Sequence, residues 1–216
     1  MTTESYIYES LVSCGDPSFG EFYRIYTESI PLREQKPETE ISAMAARPDY
    51  KILLLKKSGT VIGFSVLFIP AGESFCLLEY MAVHSAFRNK GCGRELFLRT
   101  FHNAFSSGGA VCGLLEVDSE GERSRDRETR RRRVRFYRSM GCLRIEDLSY
   151  ILPLPGEGPP PQMDLMAYLP DSRPLLDRCE LERWLRVIYE QVYCCSPDDS
   201  RIGQMLKDID EEVKVW

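Results

Sequence analysis

Short apolar segments, alternating or nearly continuous, recur along the first 170 residues and predict β-strands. The seven predicted strands cover residues 6–11, 50–57, 61–69, 73–83, 110–117, 142–152 and 162–169. Ser58-Gly59-Thr60 separates the second strand from the third and predicts a tight hairpin. A Pro-rich loop at 153–161 separates the last two strands, which we also expect to pair, and we expect this loop to form a semi-rigid flap.

Apolar residues at helical spacing lie between these strands and predict four helices. The predicted helices cover residues 19–30, 38–46 and 94–106 and a stretch that ends near Met140. Because a helix joins the strands at 73–83 and 110–117, these two strands are expected to run parallel. The order β-α-α-β-β-β-α-β-α-β-β therefore predicts an α/β fold, with a mixed central sheet of about seven strands, a parallel βαβ core and flanking helices.

Beyond residue 170 the pattern predicts two further amphipathic helices, at 175–193 and 201–213. We expect a principal domain at 1–170 and a C-terminal helical extension at 171–216, which packs on that domain or on a second copy in a homodimer. One face of the first helix carries an apolar stripe, which we expect to pack on the domain itself. The stripe comprises Trp184, Leu185, Ile188, Tyr189 and Val192.

The formal net charge of −5 argues against nucleic acid as a partner, because such affinity comes largely from neutralising phosphates. No stretch approaches the roughly 20 apolar residues that span a bilayer, and the N-terminus lacks the pattern of a secretory signal. The eight cysteines form no CxxC pair, and with two histidines in the chain we expect no metal site. These features predict a cytoplasmic protein with reduced thiols.

The segment 77–98, LLEYMAVHSAFRNKGCGRELFL, combines an apolar strand, a glycine-bearing turn and a helix. The first N–H groups of a helix have no intrahelical partner, and the helix dipole adds positive charge there. Gly91 and Gly93 let the backbone approach a ligand closely. Arg88, Lys90 and Arg94 add positive charge around the same turn. The segment therefore predicts a diphosphate-binding turn.

Neither of two common phosphate loops, GxxxxGK[ST] and GxGxxG, occurs at this turn. The segment resembles instead the acyl-CoA signature of the GNAT superfamily of N-acyltransferases, a strand ending in Val followed by R/Q-x-x-G-x-G/A. The resemblance implies that acetyl-CoA binds along the end of the strand and on the turn. The cofactor-binding residues that it implies are Met81, Ala82, Val83, Arg88, Asn89, Lys90, Gly91, Cys92, Gly93 and Arg94.

Phe136-Tyr137, followed by Gly141, resembles a second GNAT element, FYxxxGF. By this resemblance, Tyr137 lies beside the sulfur of CoA and protonates the leaving thiolate. The helix departs from the family at Arg130 and Arg133, where many members carry Asn and a small residue, so the contacts of this helix with CoA cannot be carried over. The run Arg130–Arg133 could meet the CoA phosphates, but a solvated helix face is the favoured interpretation.

Transfer to an amine requires a base, because the ammonium must lose a proton before it attacks. Glu116 resembles the proposed base of the ribosomal-protein alanine N-acetyltransferases, and Glu79 resembles an acceptor-binding acid of the aminoglycoside N-acetyltransferases. We slightly favour Glu116 as the base and Glu79 as an acceptor ligand or water-relay partner over the reverse. A salt bridge or a strand-end cap is the alternative for either acid. Regular alternation would place residues 79, 81 and 83 on one face, unless a bulge resets the phase.

The leading interpretation is an acetyl-CoA-dependent N-acetyltransferase that moves an acetyl group to a primary amine of a small molecule or peptide. We expect direct transfer in a ternary complex, with Cys92 packing at the helix start rather than carrying an acyl group. The alternatives are a non-catalytic acyl-CoA-binding sensor and an adaptor that acts through the C-terminal helices. The acids near the site favour a cationic acceptor. Weaker candidates for the acceptor site are Tyr26, Arg33 and Tyr150.

Overall fold

The apolar runs of the first half of the chain form four strands in the computed structural model, which describes residues 6–107, 109–120, 127–154, 162–170 and 175–216. Each strand pairs antiparallel with the next one along the chain. The predicted bounds of the first two strands are confirmed, and those of the next two shift by at most two residues. The strands are β1 (Tyr6–Leu11), β2 (Tyr50–Lys57), β3 (Thr60–Phe68) and β4 (Phe75–Val83).

The chain divides into two compact units, which we describe separately. The N-terminal unit comprises Met1–Gly72 and Cys76–Ala110, and the C-terminal unit comprises Glu73–Phe75 and Val111–Trp216. The first three strands, and all of β4 except its first residue, belong to the N-terminal unit together with three helices. These are α1 (Phe19–Ser29), α2 (Glu38–Ala46) and α3 (Cys92–Ser107).

Two helices of the N-terminal unit cover β3 from opposite sides. Phe22 of α1 packs edge-to-face on Phe64, with ring centroids 4.9 Å apart, and both side chains are fully buried. Ser65 and Thr100 of α3 share a buried hydrogen bond of 2.7 Å between their hydroxyl oxygens. Because successive residues of a strand point to opposite faces, α1 and α3 lie on different faces of the sheet.

A β-bulge interrupts β4 at Glu79. Tyr80 pairs with Val66, and Leu78 pairs with Leu67, so Glu79 is an extra residue with no partner in the β3 register. Leu78 and Tyr80 therefore stand opposite neighbouring residues of β3, and the bulge expected as the alternative to regular alternation is present here. The bulge gives the Glu79 side chain a position that the strand period does not predict.

The C-terminal unit contains three strands that pair with one central strand, β8. β8 pairs antiparallel with β5 and also with β6 and β7. The predicted pairing of 142–152 with 162–169 is confirmed, but the prediction of one continuous strand over 142–152 is wrong. The elements are β5 (Cys112–Asp118), α4 (Arg127–Ser139), β6 (Cys142–Arg144), β7 (Tyr150–Ile151) and β8 (Gln162–Tyr168).

Residues 144–146, at the end of β6, also contact the last residues of the chain. The Arg144 N–H donates to the Trp216 carbonyl at 2.7 Å, and the Glu146 N–H donates to the Lys214 carbonyl at 2.9 Å. Between the two, the Ile145 N–H still donates to the Leu165 carbonyl of β8 at 3.0 Å. Asp147 then takes a φ of 57°, in the left-handed region that turns the chain, so the pairing with β8 ends only at this turn.

The C-terminal helices are shorter than predicted because short strands replace their ends. Asp177 caps the first helix by accepting a hydrogen bond of 3.0 Å from the Glu180 N–H, so residues 175–177 stay extended. The second helix ends at Met205, and residues 212–214 pair antiparallel with 175–177. The elements are β9 (Leu175–Asp177), α5 (Arg178–Gln191), α6 (Ser200–Met205) and β10 (Glu212–Lys214).

The apolar stripe of α5 is covered, as predicted. Trp184, Tyr189 and Ile188 are fully buried, and the Trp184 ring lies 5.3 Å from the Phe75 ring within the C-terminal unit. This face therefore contributes to the core of the unit, and its apolar residues are not offered to a partner.

The order of helices and strands confirms a mixed α/β protein. Two predictions extend outside the described residues: the flap, of which residues 155–161 are not described, and the domain boundary near 171–174. Both stay predictions. Among the described residues, none of the helices has the length and apolar character of a transmembrane span.

Candidate active site

The turn after β4 is closed by its own basic side chains. A short 3-10 turn, Ser85–Phe87, follows the strand. Arg88 Nε donates to the Val83 carbonyl at 2.9 Å, and Lys90 Nζ donates to the Ala86 carbonyl at 2.9 Å. Both side chains are exposed, so their positive charges are held at the turn where an anion would meet them.

The start of α3 presents backbone N–H groups beside these charges. The helix begins at Cys92, two residues earlier than predicted, and its first hydrogen bond runs from the Glu95 N–H to the Gly91 carbonyl at 3.1 Å. The N–H groups of Cys92 and Gly93 precede this bond, and such groups have no acceptor inside a helix. Asn89 and Gly91 take φ values of 60° and 80°, which bend the turn away from the helix axis. Residues 88–94, hereafter the cradle, therefore suit an anionic ligand.

The surroundings of the cradle include open space over Gly91, a third cation and the paired end of β4. A Cβ added at Gly91 would meet no described atom within 4 Å, so the space over this residue is open. Arg94 is exposed in the first turn of α3 and adds a third cation. Ala82 and Val83 precede the cradle and pair with Phe64 and Gly63 of β3.

Cys92 anchors the start of α3. Its side chain is 2 % exposed and packs with Leu53, Leu55 and Leu96. Its thiol donates to the Tyr6 hydroxyl oxygen at 3.4 Å. This burial agrees with the prediction of a packing role, because an acyl carrier would need an accessible sulfur.

Glu79, the extra residue of the β4 bulge, is held by a buried cation. Its side chain is 2 % exposed, and Lys36 Nζ lies 3.1 Å from Oε1. The Tyr50 hydroxyl donates to Oε2 at 3.0 Å. Lys36 Nζ also lies 2.8 Å from Glu40 Oε1. The carboxylate of Glu79 is therefore neutralised within the N-terminal unit.

Burial and charge act in opposite directions on this cluster. Burial raises the pKa of Glu79, against Lys36 and Tyr50, which favour the carboxylate. Burial acts to lower the pKa of Lys36, but Glu79 and Glu40 outweigh it and raise that pKa above the ordinary lysine value. Burial is the main cause that raises the pKa of Tyr50, and the charge of Glu79 raises it further. The geometry is that of an ion pair with a protonated phenol as a second donor.

Glu116, in β5, is held in a different way, by two phenol hydroxyls. The Tyr150 hydroxyl donates to Oε1, and the Tyr193 hydroxyl donates to Oε2 at 2.5 Å. Tyr150 is 3 % exposed, and burial followed by the charge of Glu116 raises its pKa well above the ordinary value. Each oxygen of the Glu116 carboxylate thus receives a hydrogen bond from a neutral donor, while the residue is only partly buried.

Tyr137 lies on the inner face of α4. The residue is 8 % exposed, and burial raises its pKa to about 12, although Arg133 acts in the opposite direction. The phenol therefore carries its proton at neutral pH. This protonation state is the one that a proton donor needs.

Only part of the arginine run of α4 forms the predicted solvated face. Arg133 Nη1 lies 2.5 Å from Asp118 Oδ2, and Arg130 Nε lies 3.7 Å from Asp118 Oδ1. The Arg130 side chain is 8 % exposed, and Asp118 is buried. These two arginines therefore connect α4 to the end of β5, whereas Arg132 and Arg135 pair with the exposed Glu128.

Sequence reasoning missed the partners of both carboxylates. No local pattern relates Lys36 to Glu79, or Tyr193 to Glu116, because each pair is far apart along the chain. Of the three weaker acceptor-site candidates, Tyr150 donates to Glu116, and the other two form no hydrogen bond with either carboxylate among the described residues. Tyr26 is fully buried and its hydroxyl accepts a hydrogen bond from the Lys36 N–H at 2.7 Å, and Arg33 is half-exposed beside Glu34.

All eight cysteines are free thiols. Across the described ranges, no three His, Cys, Asp or Glu side chains come close enough together to hold a metal ion.

The acetyltransferase (GNAT) family profile matches residues 19–142, which are more than half of the chain. The chain therefore belongs to the GNAT family of acetyltransferases. The matched region contains the cradle, Glu79, Glu116 and Tyr137, and it ends before Tyr150 and Tyr193. A comparison of the sequence with curated proteins finds no match.

Solved structures share the fold. A GNAT-family protein from Bacteroides thetaiotaomicron superposes with a TM-score of 0.68 at 21% identity, over 88% of this chain and 99% of that one. A GNAT acetyltransferase from Elizabethkingia anophelis, solved with acetyl-CoA bound, gives a TM-score of 0.55 at 17% identity, over 76% and 97%. The ribosomal-protein-S18-alanine N-acetyltransferase of Escherichia coli gives 0.54 at 18% identity, over 76% and 94%. These likenesses confirm the predicted GNAT fold class.

Proposed function

We propose that the protein is an acetyl-CoA-dependent N-acetyltransferase that moves an acetyl group to a primary amine by direct transfer in a ternary complex. The observation that carries this proposal is the cradle, where the start of α3 and three basic side chains meet over an open glycine. A diphosphate carries negative charge, and this combination of N–H groups and cations suits it. The acetyl-CoA bound to the E. anophelis family member supports the same choice of ligand.

In this proposal acetyl-CoA supplies the acetyl group as a thioester, and two residues of the chain move protons. Glu116 takes the proton that the acceptor ammonium must lose before its nitrogen can attack. The nitrogen then forms the amide bond to the acetyl carbon while the carbon–sulfur bond breaks, and the second proton that the nitrogen loses replaces the one that Tyr137 donates. Tyr137 gives its proton to the departing sulfur, and its raised pKa keeps that proton available at neutral pH.

The two carboxylates suit different roles. Glu79 is already neutralised by Lys36, whereas Glu116 accepts hydrogen bonds from the neutral hydroxyls of Tyr150 and Tyr193. This contrast favours Glu116 as the base. Glu79 stays the proposed ligand of a cationic acceptor, which would share the carboxylate with Lys36. The acceptor is a small molecule or a peptide, and the free thiols agree with the proposed cytoplasmic location.

Calorimetric titration with acetyl-CoA tests the proposal first, with Gly91→Glu beside the wild type. We expect micromolar binding to the wild type. The variant should bind at least about ten-fold more weakly, because Gly91 has a φ of 80° and a glutamate adds strain, bulk and negative charge in the cradle.

Gly72→Glu is the matched control. Gly72 has a φ of 79° with no described atom within 4 Å of an added Cβ, and it lies ahead of β4 rather than after it. This variant should keep wild-type affinity. No binding to the wild type, or equal losses in both variants, would contradict the cradle assignment. Binding without turnover of any amine in a broad screen would favour the acyl-CoA sensor.

A further inference from the structure

The end of α5 delivers a hydroxyl to the proposed base from far along the chain. Tyr193 lies 77 residues after Glu116, and its hydroxyl donates to Oε2 of that carboxylate. The Tyr150 hydroxyl donates to the other oxygen, Oε1. Both tyrosines lie beyond residues 19–142, which the family profile matches. The arrangement around Glu116 is therefore completed by residues that follow the matched segment.

The position of Tyr193 is set by packing rather than by a loop alone. Trp184 and Ile188 of α5 are fully buried, and the Tyr189 hydroxyl donates to the Ile151 carbonyl of β7. After the helix ends, the Tyr193 N–H donates to the Ile188 carbonyl at 3.4 Å, and the Cys195 N–H donates to the Tyr189 carbonyl at 2.8 Å. These contacts fix the backbone on both sides of Tyr193.

We propose that Tyr193 is a positioning residue for Glu116, so that the C-terminal segment is a working part of the acetyl-transfer site rather than an appendage. This inference rests on the proposed function, in which Glu116 is the base. One phenol on each carboxylate oxygen restrains the rotation of the carboxylate group. Both donors also favour its ionised form, which is the form that accepts a proton.

The other titratable groups around this cluster are Tyr189, Cys195 and the ion pair of Arg201 with Asp199. Tyr189 and Cys195 interact electrostatically with the cluster of Glu116 and Tyr150. Burial raises the pKa of Tyr189 and that of the Cys195 thiol above their ordinary values. Neither Tyr189 nor Cys195 changes charge in the acid range, and the hydrogen bond from Arg201 holds the pKa of Asp199 below its ordinary value. A shift of the acid limb of the kcat/KM profile at higher pH therefore reports on Glu116.

The experiment compares Tyr193→Phe with Tyr189→Phe. Both variants remove one hydroxyl from the same C-terminal segment, but the hydroxyl of Tyr189 donates to a backbone carbonyl and not to Glu116. We expect Tyr193→Phe to lower kcat/KM for the amine about ten-fold or more, and to move the acid limb of its pH profile upward by about one unit. Tyr189→Phe should lower the unfolding temperature without moving that limb.

Two further measurements separate this inference from the function on which it rests. Acetyl-CoA affinity should be unchanged in Tyr193→Phe, because the cradle lies elsewhere along the chain. In a Glu116→Gln background, Tyr193→Phe should have no further effect on kcat/KM.

The inference fails, while the assignment of Glu116 as the base stands, if two results are found together. Glu116→Gln would lose activity, and Tyr193→Phe would keep both the wild-type kcat/KM and the wild-type acid limb of its pH profile. Full activity in Glu116→Gln would overturn the assignment of the base. If no acceptor amine is found, carbon NMR of protein labelled at the glutamate carboxyls replaces the kinetic profile. The Glu116 resonance, assigned from Glu116→Gln, should then titrate at higher pH in Tyr193→Phe, and an unchanged titration would overturn the inference.

Discussion

Glu79 and Glu116 look alike in the sequence, since each is one carboxylate among aliphatic residues of an apolar strand. The two units hold them by different means. In the N-terminal unit, Glu79 is 2 % exposed and lies 3.1 Å from the ammonium of Lys36. In the C-terminal unit, Glu116 accepts hydrogen bonds from the hydroxyls of Tyr150 and Tyr193.

The two carboxylates are therefore stabilised in different ways. A buried carboxylate is costly unless it is paired, and the pairing with Lys36 meets that cost for Glu79. A carboxylate held by phenols keeps its charge and its orientation without a full positive charge from those donors. We therefore infer that removing the partners of Glu79 affects mainly folding, and removing those of Glu116 affects mainly turnover.

The largest expected effect is on stability, in Lys36→Met. This change leaves Glu79 buried beside the Tyr50 phenol without its ammonium, and we expect it to lower the free energy of unfolding by about 3–5 kcal/mol. Urea unfolding at neutral pH measures the effect. A second change, Glu79→Gln in the same chain, should restore part of the loss because it removes the uncompensated charge.

Lys56→Met is the matched control for that experiment. Lys56 and Lys36 have equal side-chain exposure, 13%, but Lys56 pairs with Glu9, whose side chain is 48% exposed. We expect a loss below about 1 kcal/mol for this surface pair. Equal losses in the two lysine variants would show that the buried pair is not what stabilises the bulge.

The next largest expected effect is on the kinetics of acetyl transfer. Glu116→Gln should lower kcat about 100-fold or more, because an amide cannot accept the proton of the acceptor ammonium. Glu79→Gln should act mainly through KM for cationic amines, since Lys36 keeps Glu40 as a partner at 2.8 Å. Steady-state kinetics with one cationic and one neutral amine measure both. A larger loss of kcat in Glu79→Gln would reverse the assignment.

The smallest effect concerns the phenols of the C-terminal unit at high pH. Burial raises the pKa of Tyr137 to about 12, against an unfolded value of 10.0. Its contribution is therefore complete below pH 10 and is lost as the pH rises from 10 towards 12. The loss amounts to about 2–3 kcal/mol, since one pKa unit corresponds to 1.36 kcal/mol.

Chemical unfolding at pH 9, 10, 11 and 12 measures this loss. Tyr137→Phe should give a flatter dependence over the same range, since it removes the titrating group. Identical slopes in the two proteins would contradict the raised pKa of Tyr137 and weaken its proposed role as the proton donor.

Most helices and strands of the first 140 residues could be predicted, because their signals are local. The predicted bounds of α2 and β2 are those observed, and Pro37 and Pro48 flank the α2 helix. The errors lie where distant backbone segments meet. β9 and β10 are three residues each and form through pairing with one another, so neither carries a periodic pattern of its own. The bulge at Glu79 likewise follows from the register with β3.

The cradle could be predicted from the sequence, since a strand, a glycine turn and a helix start are consecutive in the chain, and the N–H groups at a helix start follow from helix geometry. Which groups contact each carboxylate depends on the tertiary structure. Tyr50 lies 29 residues from Glu79, while Tyr150 and Tyr193 lie 34 and 77 residues from Glu116. Such partners are chosen by packing between elements far apart along the chain, and no local period records that choice.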